Sequence, residues 1–190
     1  SIFHIQSQRD RKIQVDEEKN LFSQNIDIVG IYDPSDNDLS MDMWTNSNGV
    51  KILEIIDRIK NINLSQDAIE ILNVALLTNS YFPKKNISKE QFLIIKSDWL
   101  IQQQDLNLIE TYLSKNNSLE DESSLIRYYI DHYLSRLDLD KACDIFNKIN
   151  FETNDDYVLK FKVYCLINLN KNEEAQLHLD LMKEDDFEDI

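Results

Sequence analysis

Apolar side chains recur every three to four positions over most of the chain from about residue 47 onward, the spacing of a helix with one buried face. The first such segment, at about 47–61, has its apolar stripe at four isoleucines: Ile52, Ile55, Ile56 and Ile59. Ser47 or Asn48 can cap this helix, and Ser65 can cap a second one. The pattern therefore predicts two consecutive helices at the start of the periodic region.

A third helix is predicted after the sequence SYFPKKN, because Pro83 cannot continue the second one. Ser88 and Gln91 have the spacing of a capping box, in which each side chain accepts a hydrogen bond from the other residue's backbone N–H. The apolar stripe of this third helix is Phe92, Ile95 and Trp99.

The remaining helical pattern repeats itself. Ile109, Ala142 and Ala175 hold equivalent places at one constant interval, each shortly after a polar pivot between two apolar segments. Two further sets share this repeat interval: Leu113, Phe146 and Leu179, and Leu100, Tyr133 and Leu166. A period of about this length is typical of stacked helical hairpins, because one hairpin cannot bury both of its apolar faces alone.

Residues 26–46 lack this periodicity. Their aspartates at 33, 36, 38 and 42 suggest a calcium loop, but the spacing is wrong and the required glycine and closing glutamate are missing. Asp33 and Pro34 instead begin a turn sequence. We interpret the segment as a cap on the first hairpin, with Trp44 buried and the aspartates facing water. If Trp44 is exposed instead, we would interpret the segment as a lip at the edge of a binding site.

Composition indicates an all-α protein. Only two glycines and two prolines occur in 190 residues, too few for the many turns of a sandwich or barrel. We predict a loosely ordered arm at 1–25, a single helical domain at 26–183 that includes the irregular segment, and an acidic tail at 184–190. No apolar run reaches the length needed to span a bilayer.

The net charge of −15 repels phosphate backbones and argues against nucleic-acid binding. No catalytic motif or cofactor site is predicted, since glycine-rich phosphate loops and a nucleophile elbow need glycines that the chain lacks. No metal site is predicted either, because the three histidines are scattered and the two cysteines have no histidine at ligand spacing. Paired carboxylates for catalysis stay open, because acidic residues are everywhere.

The repeated units at about 88–183 resemble the tetratricopeptide repeat, in which a small residue lets two helices approach and a large one follows a turn later. Ala142 with Phe146 fits this pattern, and so does Ala175 with Leu179. Ile109 departs from it, and the closing proline is absent. The resemblance implies a right-handed, degenerate α-solenoid of antiparallel hairpins, a form that commonly holds peptides in a concave groove.

A broader resemblance covers most of residues 30–170. The order of features is a glycine-led irregular segment ending in DMW, the helix VKILEIIDRI, the segment FLIIKSDWLIQQQDLNLIETYL and the pair Ala142–Cys143. It is similar to a group of uncharacterised alphaproteobacterial helical proteins thought to be exported. This resemblance favours a periplasmic or envelope-associated place over the cytoplasm. The first residue is Ser1, so the compartment stays open.

Cys143 and Cys165 both lie on apolar helix stripes, and both are equally far along the chain from Asn154, which lies between their two helices. Antiparallel helices would bring them to the same height, so a disulfide is conceivable. The expectation is nevertheless two buried free thiols.

The aromatic cluster of RYYIDHYL is the first choice for a partner-binding face, because tyrosine and arginine suit interfaces. Its members are Arg127, Tyr128, Tyr129, His132 and Tyr133. The leading hypothesis is a non-enzymatic module that binds a protein or peptide. The alternatives are an enzyme or small-ligand-binding protein with a pocket in the helices, and a structural subunit of an envelope assembly. Oligomeric state stays open.

Overall fold

The computed structural model describes residues 28–116, 122–149 and 153–184. The arm predicted at 1–25 lies outside these residues, as does the acidic tail after its first residue. The described residues are mostly helical, so the prediction of an all-α fold is confirmed. In this part of the chain the α-helices are α1 (Gly49–Lys60), α2 (Gln66–Leu77), α3 (Lys89–Gln103), α4 (Leu106–Lys115), α5 (Ser123–Leu134), α6 (Leu139–Lys148), α7 (Asp156–Asn168) and α8 (Asn172–Glu184).

Three helix starts follow their capping sequences. Asn48 caps α1 by accepting from the Val50 N–H, and Ser65 caps α2. At α3 the Ser88 Oγ accepts from the Gln91 N–H at 3.2 Å, and the Gln91 side chain accepts from the Ser88 N–H at 3.0 Å. The predicted capping box is therefore confirmed.

The predicted stripe of α1 is too wide. Ile52 is buried and Ile56 and Ile59 are half-buried, but Ile55 is 55% exposed. Ile55 lies at the edge of the stripe, and α1 contacts the core through a narrower strip than the sequence pattern suggests. The helical period identifies a face and leaves the width of its contact undetermined.

Two short strands were missed. β1 (Ile28–Val29) pairs antiparallel with β2 (Ser80–Tyr81), with Ile28 opposite Tyr81 and Val29 opposite Ser80. A two-residue strand is too short to show the alternation that identifies a strand. The pairing joins the irregular N-terminal segment to the connection between α2 and α3.

The same segment also reaches α3 and α4. The Lys96 Nζ donates to the Val29 carbonyl at 2.8 Å, and the Lys115 Nζ donates to the Ile31 carbonyl at 2.7 Å. Asn116 donates to the Gly30 carbonyl and accepts from the Gly30 N–H. A Cβ at Gly30 would lie 2.5 Å from the Asn79 backbone nitrogen, so only glycine fits this approach.

From α3 onward the helices come in consecutive pairs, and α3, α5 and α7 are the first helices of these pairs. The first helices pack on one another in series, and the second helices α4, α6 and α8 each pack on the first helix of their own pair. One core runs from Val29 to Val158, and α7 with α8 encloses a smaller one. The smaller core is Val163, Leu166, Ala175 and Met182.

The pivots between the paired helices are alike. Gln104, Leu137 and Asn170 are spaced at the repeat interval and all have left-handed backbones, with φ of +56°, +59° and +59°. Ile109, Ala142 and Ala175 are all buried just beyond these pivots. The sequence period therefore corresponds to a repeated backbone turn.

Replacing Leu137 by asparagine should raise the free energy of unfolding by about 1 kcal/mol and the thermal midpoint by about 3 °C. The Leu137 side chain is 94% exposed, so it contributes little burial, while its left-handed backbone crowds the Cβ. Asparagine tolerates this conformation better. Leu169→Asn is the control in a thermal melt, because Leu169 is exposed but has φ of −84°. Equal gains from both variants would refute the explanation.

The expectation of free thiols is wrong in the structure. Cys143 of α6 and Cys165 of α7 form a disulfide, with their Cα atoms 5.4 Å apart. The two residues lie on consecutive helices that contact each other. The bond links the hairpin of α5 and α6 to the last hairpin.

Candidate functional site

The helices α3, α5 and α7 present side chains to solvent at equivalent positions of the repeat. Positions related by the repeat interval on α3, α5 and α7 are exposed or half-exposed, and we call them the ladder face. The ladder face consists of Ile94, Arg127 and Lys160 in one row and Asp98, Asp131 and Tyr164 in the other. The two rows combine two cations, two carboxylates and two apolar side chains.

Arg127 is held in place across the gap between α5 and α7. Its Nε and Nη2 donate to the two carboxylate oxygens of Asp155 at 2.7 and 2.8 Å. This bond raises the pKa of Arg127. Burial raises the pKa of Asp155, but the hydrogen bonds from Arg127 and the Val158 N–H outweigh it, so the pKa is lowered overall. The guanidinium also lies 5.2 Å from the ring centroid of Tyr157.

Aromatic rings continue the surface along α7. Tyr157 and Phe161 stack at 6.4 Å between ring centroids, and Phe161 and Tyr164 stack at 6.0 Å. The Tyr157 hydroxyl donates to Asp131, and burial together with this bond raises the pKa of Tyr157 to about 12. Tyr164 ends the row with 51% of its surface exposed. A row of stacked aromatic rings of this kind can pack against another chain at low entropic cost.

The structure divides the five residues of the predicted aromatic face. Arg127 lies on the ladder face, and Tyr128 is half-buried beside it. Tyr129 is buried, and its hydroxyl donates to Glu110 at 3.1 Å. Tyr133 is half-buried against Tyr129 at 4.9 Å between centroids. His132 is half-buried, and its buried Nε2 has no hydrogen-bond partner among the residues that the structure describes.

Sequence reasoning missed the contribution of α7. Tyr157, Phe161 and Tyr164 were absent from the predicted face, although the repeat interval would have placed Lys160 and Tyr164 level with Arg127 and Asp131. The neglected signal was the repeat itself, applied to exposed positions instead of apolar ones.

The capping segment lies against the helices. Asp33 accepts from the Ser35 N–H at 2.9 Å and caps a short 3₁₀ helix at Pro34–Asn37, with Pro34 buried. Hydrogen bonds from Ser35 lower the pKa of Asp33. Trp44 is half-buried: its indole N–H donates to the Ala75 carbonyl at 3.2 Å, and its ring meets Phe92 edge-on at 5.6 Å. The aspartates at 33, 36, 38 and 42 are exposed.

A second group of ionisable side chains is closed off from solvent. Glu122 is buried and accepts from the Ser97 hydroxyl at 2.7 Å and the Tyr112 hydroxyl at 3.1 Å. Lys96 is fully buried beneath the N-terminal segment, and burial lowers its pKa to about 7 against the opposing charge of Glu122. None of these residues lines the two cavities found near the capping segment. The cluster links α3, α4 and the residue that precedes α5 through buried hydrogen bonds.

No group of three or more histidine, cysteine or acidic side chains within the described ranges is placed to hold a metal ion. Among the same residues, no helix has both the length and the apolar character needed to cross a membrane. Comparison with protein-family models, with curated proteins and with solved structures found no match. Any functional proposal therefore rests on the geometry.

Proposed function

We propose that this protein is a non-enzymatic interaction module that binds an extended segment of another protein along the ladder face. The observation that carries the proposal is the repetition of two exposed or half-exposed rows over the alternate helices α3, α5 and α7. A peptide is itself repetitive, so a surface with regularly spaced apolar and charged positions can contact it at several points.

The proposal includes a curved, tetratricopeptide-like stack of hairpins. Two observations support it: the left-handed pivots recur at the repeat interval, and the first helices pack more closely on one another than the second helices do. A stack in which one row of helices is closer together curves toward that row. The ladder face would then line the concave side, where such proteins bind their partners.

A structural subunit of an envelope assembly is a second candidate. It is favoured by the last hairpin, where Ile167, Leu177 and Leu181 are exposed. An exported location is supported by the Cys143–Cys165 bond, because disulfides persist in oxidising compartments. An enzyme has less support, because the clustered ionisable side chains Lys96 and Glu122 are buried.

Selection from a displayed library of short random peptides tests the proposal. Selected peptides should bind the purified protein, and Tyr164→Ala should weaken them about tenfold, as expected for an aromatic hot spot. Tyr81→Ala is the matched control, since Tyr81 is a partly exposed tyrosine away from the ladder face. Fluorescence anisotropy gives the affinities, and circular dichroism checks folding. Equal affinity for both variants, or no selected peptide, would exclude the ladder face as the binding site.

A further inference from the structure

An open cavity of about 480 Å³ lies between the capping segment and α2. This is within the usual size range of sites that hold a ligand or a partner's side chain. It is separate from the ladder face, with which it shares no residue. Its lining residues are Asn37, Leu39 and Met43 from the capping segment and Asp67, Glu70, Ile71, Val74 and Ala75 from α2.

The α2 side of the cavity has a mixed chemistry. Asp67, Glu70, Ile71 and Val74 are spaced i, i+3, i+4 and i+7, so they lie on one face of the helix. The carboxylates are in its N-terminal half, and the apolar residues follow. The face is therefore acidic at one end and apolar at the other.

The charge of the lining has one sign. Asp67 and Glu70 are its charged members, and within the described part of the chain neither forms an ion pair. The capping segment adds exposed aspartates at 36, 38 and 42 nearby in the chain. The cavity consequently has a negative rim that a cation can complement.

The apolar part is left open to solvent. Ile71 is 68% exposed at the edge of the cavity, and Leu39, Met43 and Val74 are half-exposed. The flexible side chain of Met43 can adapt to different apolar side chains. Burying these side chains under another molecule would release a favourable free energy that the isolated chain does not use.

We infer that this cavity is a docking site for a basic amphipathic helix of a partner protein. One bulky aliphatic or aromatic residue of that helix occupies the cavity beside Ile71 and Val74. Lysine or arginine residues a turn away pair with Asp67 and Glu70. The apolar floor supplies affinity, and the acidic rim selects the partner and its orientation.

The test uses a short helical peptide of leucine and lysine, about four turns long with leucine on one face, and a matched peptide with glutamate in place of lysine. Titration calorimetry of the full chain should detect binding of the lysine peptide only. The double variant Asp67→Asn/Glu70→Gln should weaken binding about tenfold, and Ile71→Ser should weaken it about fivefold or more.

Two control variants separate a specific site from general attraction to an acidic protein. Asp140→Asn/Glu173→Gln removes the same charge from exposed positions elsewhere, and Ile62→Ser removes a similarly exposed isoleucine. Both should change affinity less than about twofold. The proposal is overturned if either control weakens binding as much as its partner variant, or if the lysine peptide does not bind.

Discussion

Replacing Lys96 by methionine is expected to remove most of a rise in stability that the native protein shows from about pH 7 to about pH 10. The Lys96 ammonium is fully buried, and its folded pKa of about 7 lies well below the usual lysine value of about 10.4. Between these two values the unfolded chain binds a proton that the folded chain does not. Stability is therefore lost as the pH falls from the unfolded to the folded pKa, at up to about 1.4 kcal/mol per pH unit.

The methionine variant lacks this titration but also loses the hydrogen bond to the Val29 carbonyl. We expect it to be less stable than the native protein by about 1–3 kcal/mol at pH 10. Because the native protein loses up to about 1.4 kcal/mol per pH unit on acidification, this gap should close and then reverse as the pH falls toward 7. Urea unfolding at five pH values measures both curves. Lys115→Met is the control, because it removes a similar bond to the Ile31 carbonyl from an exposed lysine. Parallel curves for the native protein and Lys96→Met would show that Lys96 stays charged in the fold.

Removing the disulfide with Cys143→Ala/Cys165→Ala should lower the free energy of unfolding by about 3 kcal/mol. The bond closes a separation of 22 residues and joins α6 to α7. The last hairpin depends on this link, since only four buried residues of the described ranges form its own core. Hydrogen exchange should therefore lose protection first in α7 and α8, while α3 and α5 keep theirs.

A reducing agent provides the matched control for this prediction. Dithiothreitol should lower the unfolding midpoint of the native protein toward that of the alanine variant and leave the variant unchanged. Thiol titration of the denatured, non-reduced protein should find no free thiol. Two free thiols per chain, or equal midpoints for the native protein and the variant, would refute a stabilising bond.

The N-terminal segment illustrates what a sequence pattern misses. The turn at Asp33 depends on neighbours two residues away and was predictable, but the hydrogen bonds of Gly30 come from Asn116. Trp44 is half-buried because its indole N–H reaches the Ala75 carbonyl while its ring packs at the edge of the core. No local sequence pattern predicts hydrogen-bond partners that lie so far away in the chain.

The candidate site shows the same division. The repeat interval identifies equivalent positions, so the rows of the ladder face are contained in the sequence once the repeat is recognised. The repeat does not reveal that Arg127 pairs with Asp155 or that Tyr129 is buried, because both depend on how α5 packs against its neighbours. On one helix face, one residue can be buried in the core while the next is exposed to solvent.

By itself the sequence determined the helical class, the starts of α1, α2 and α3, and the repeat, because caps and apolar stripes involve residues within about four positions of each other. Only the tertiary structure decided the buried lysine, the strand pair, the disulfide and the acidic-rimmed cavity. Each of these joins residues that are distant in the chain. Their proximity follows from packing the helices around a shared core, where the fit of side chains, and not their local order, selects the neighbours.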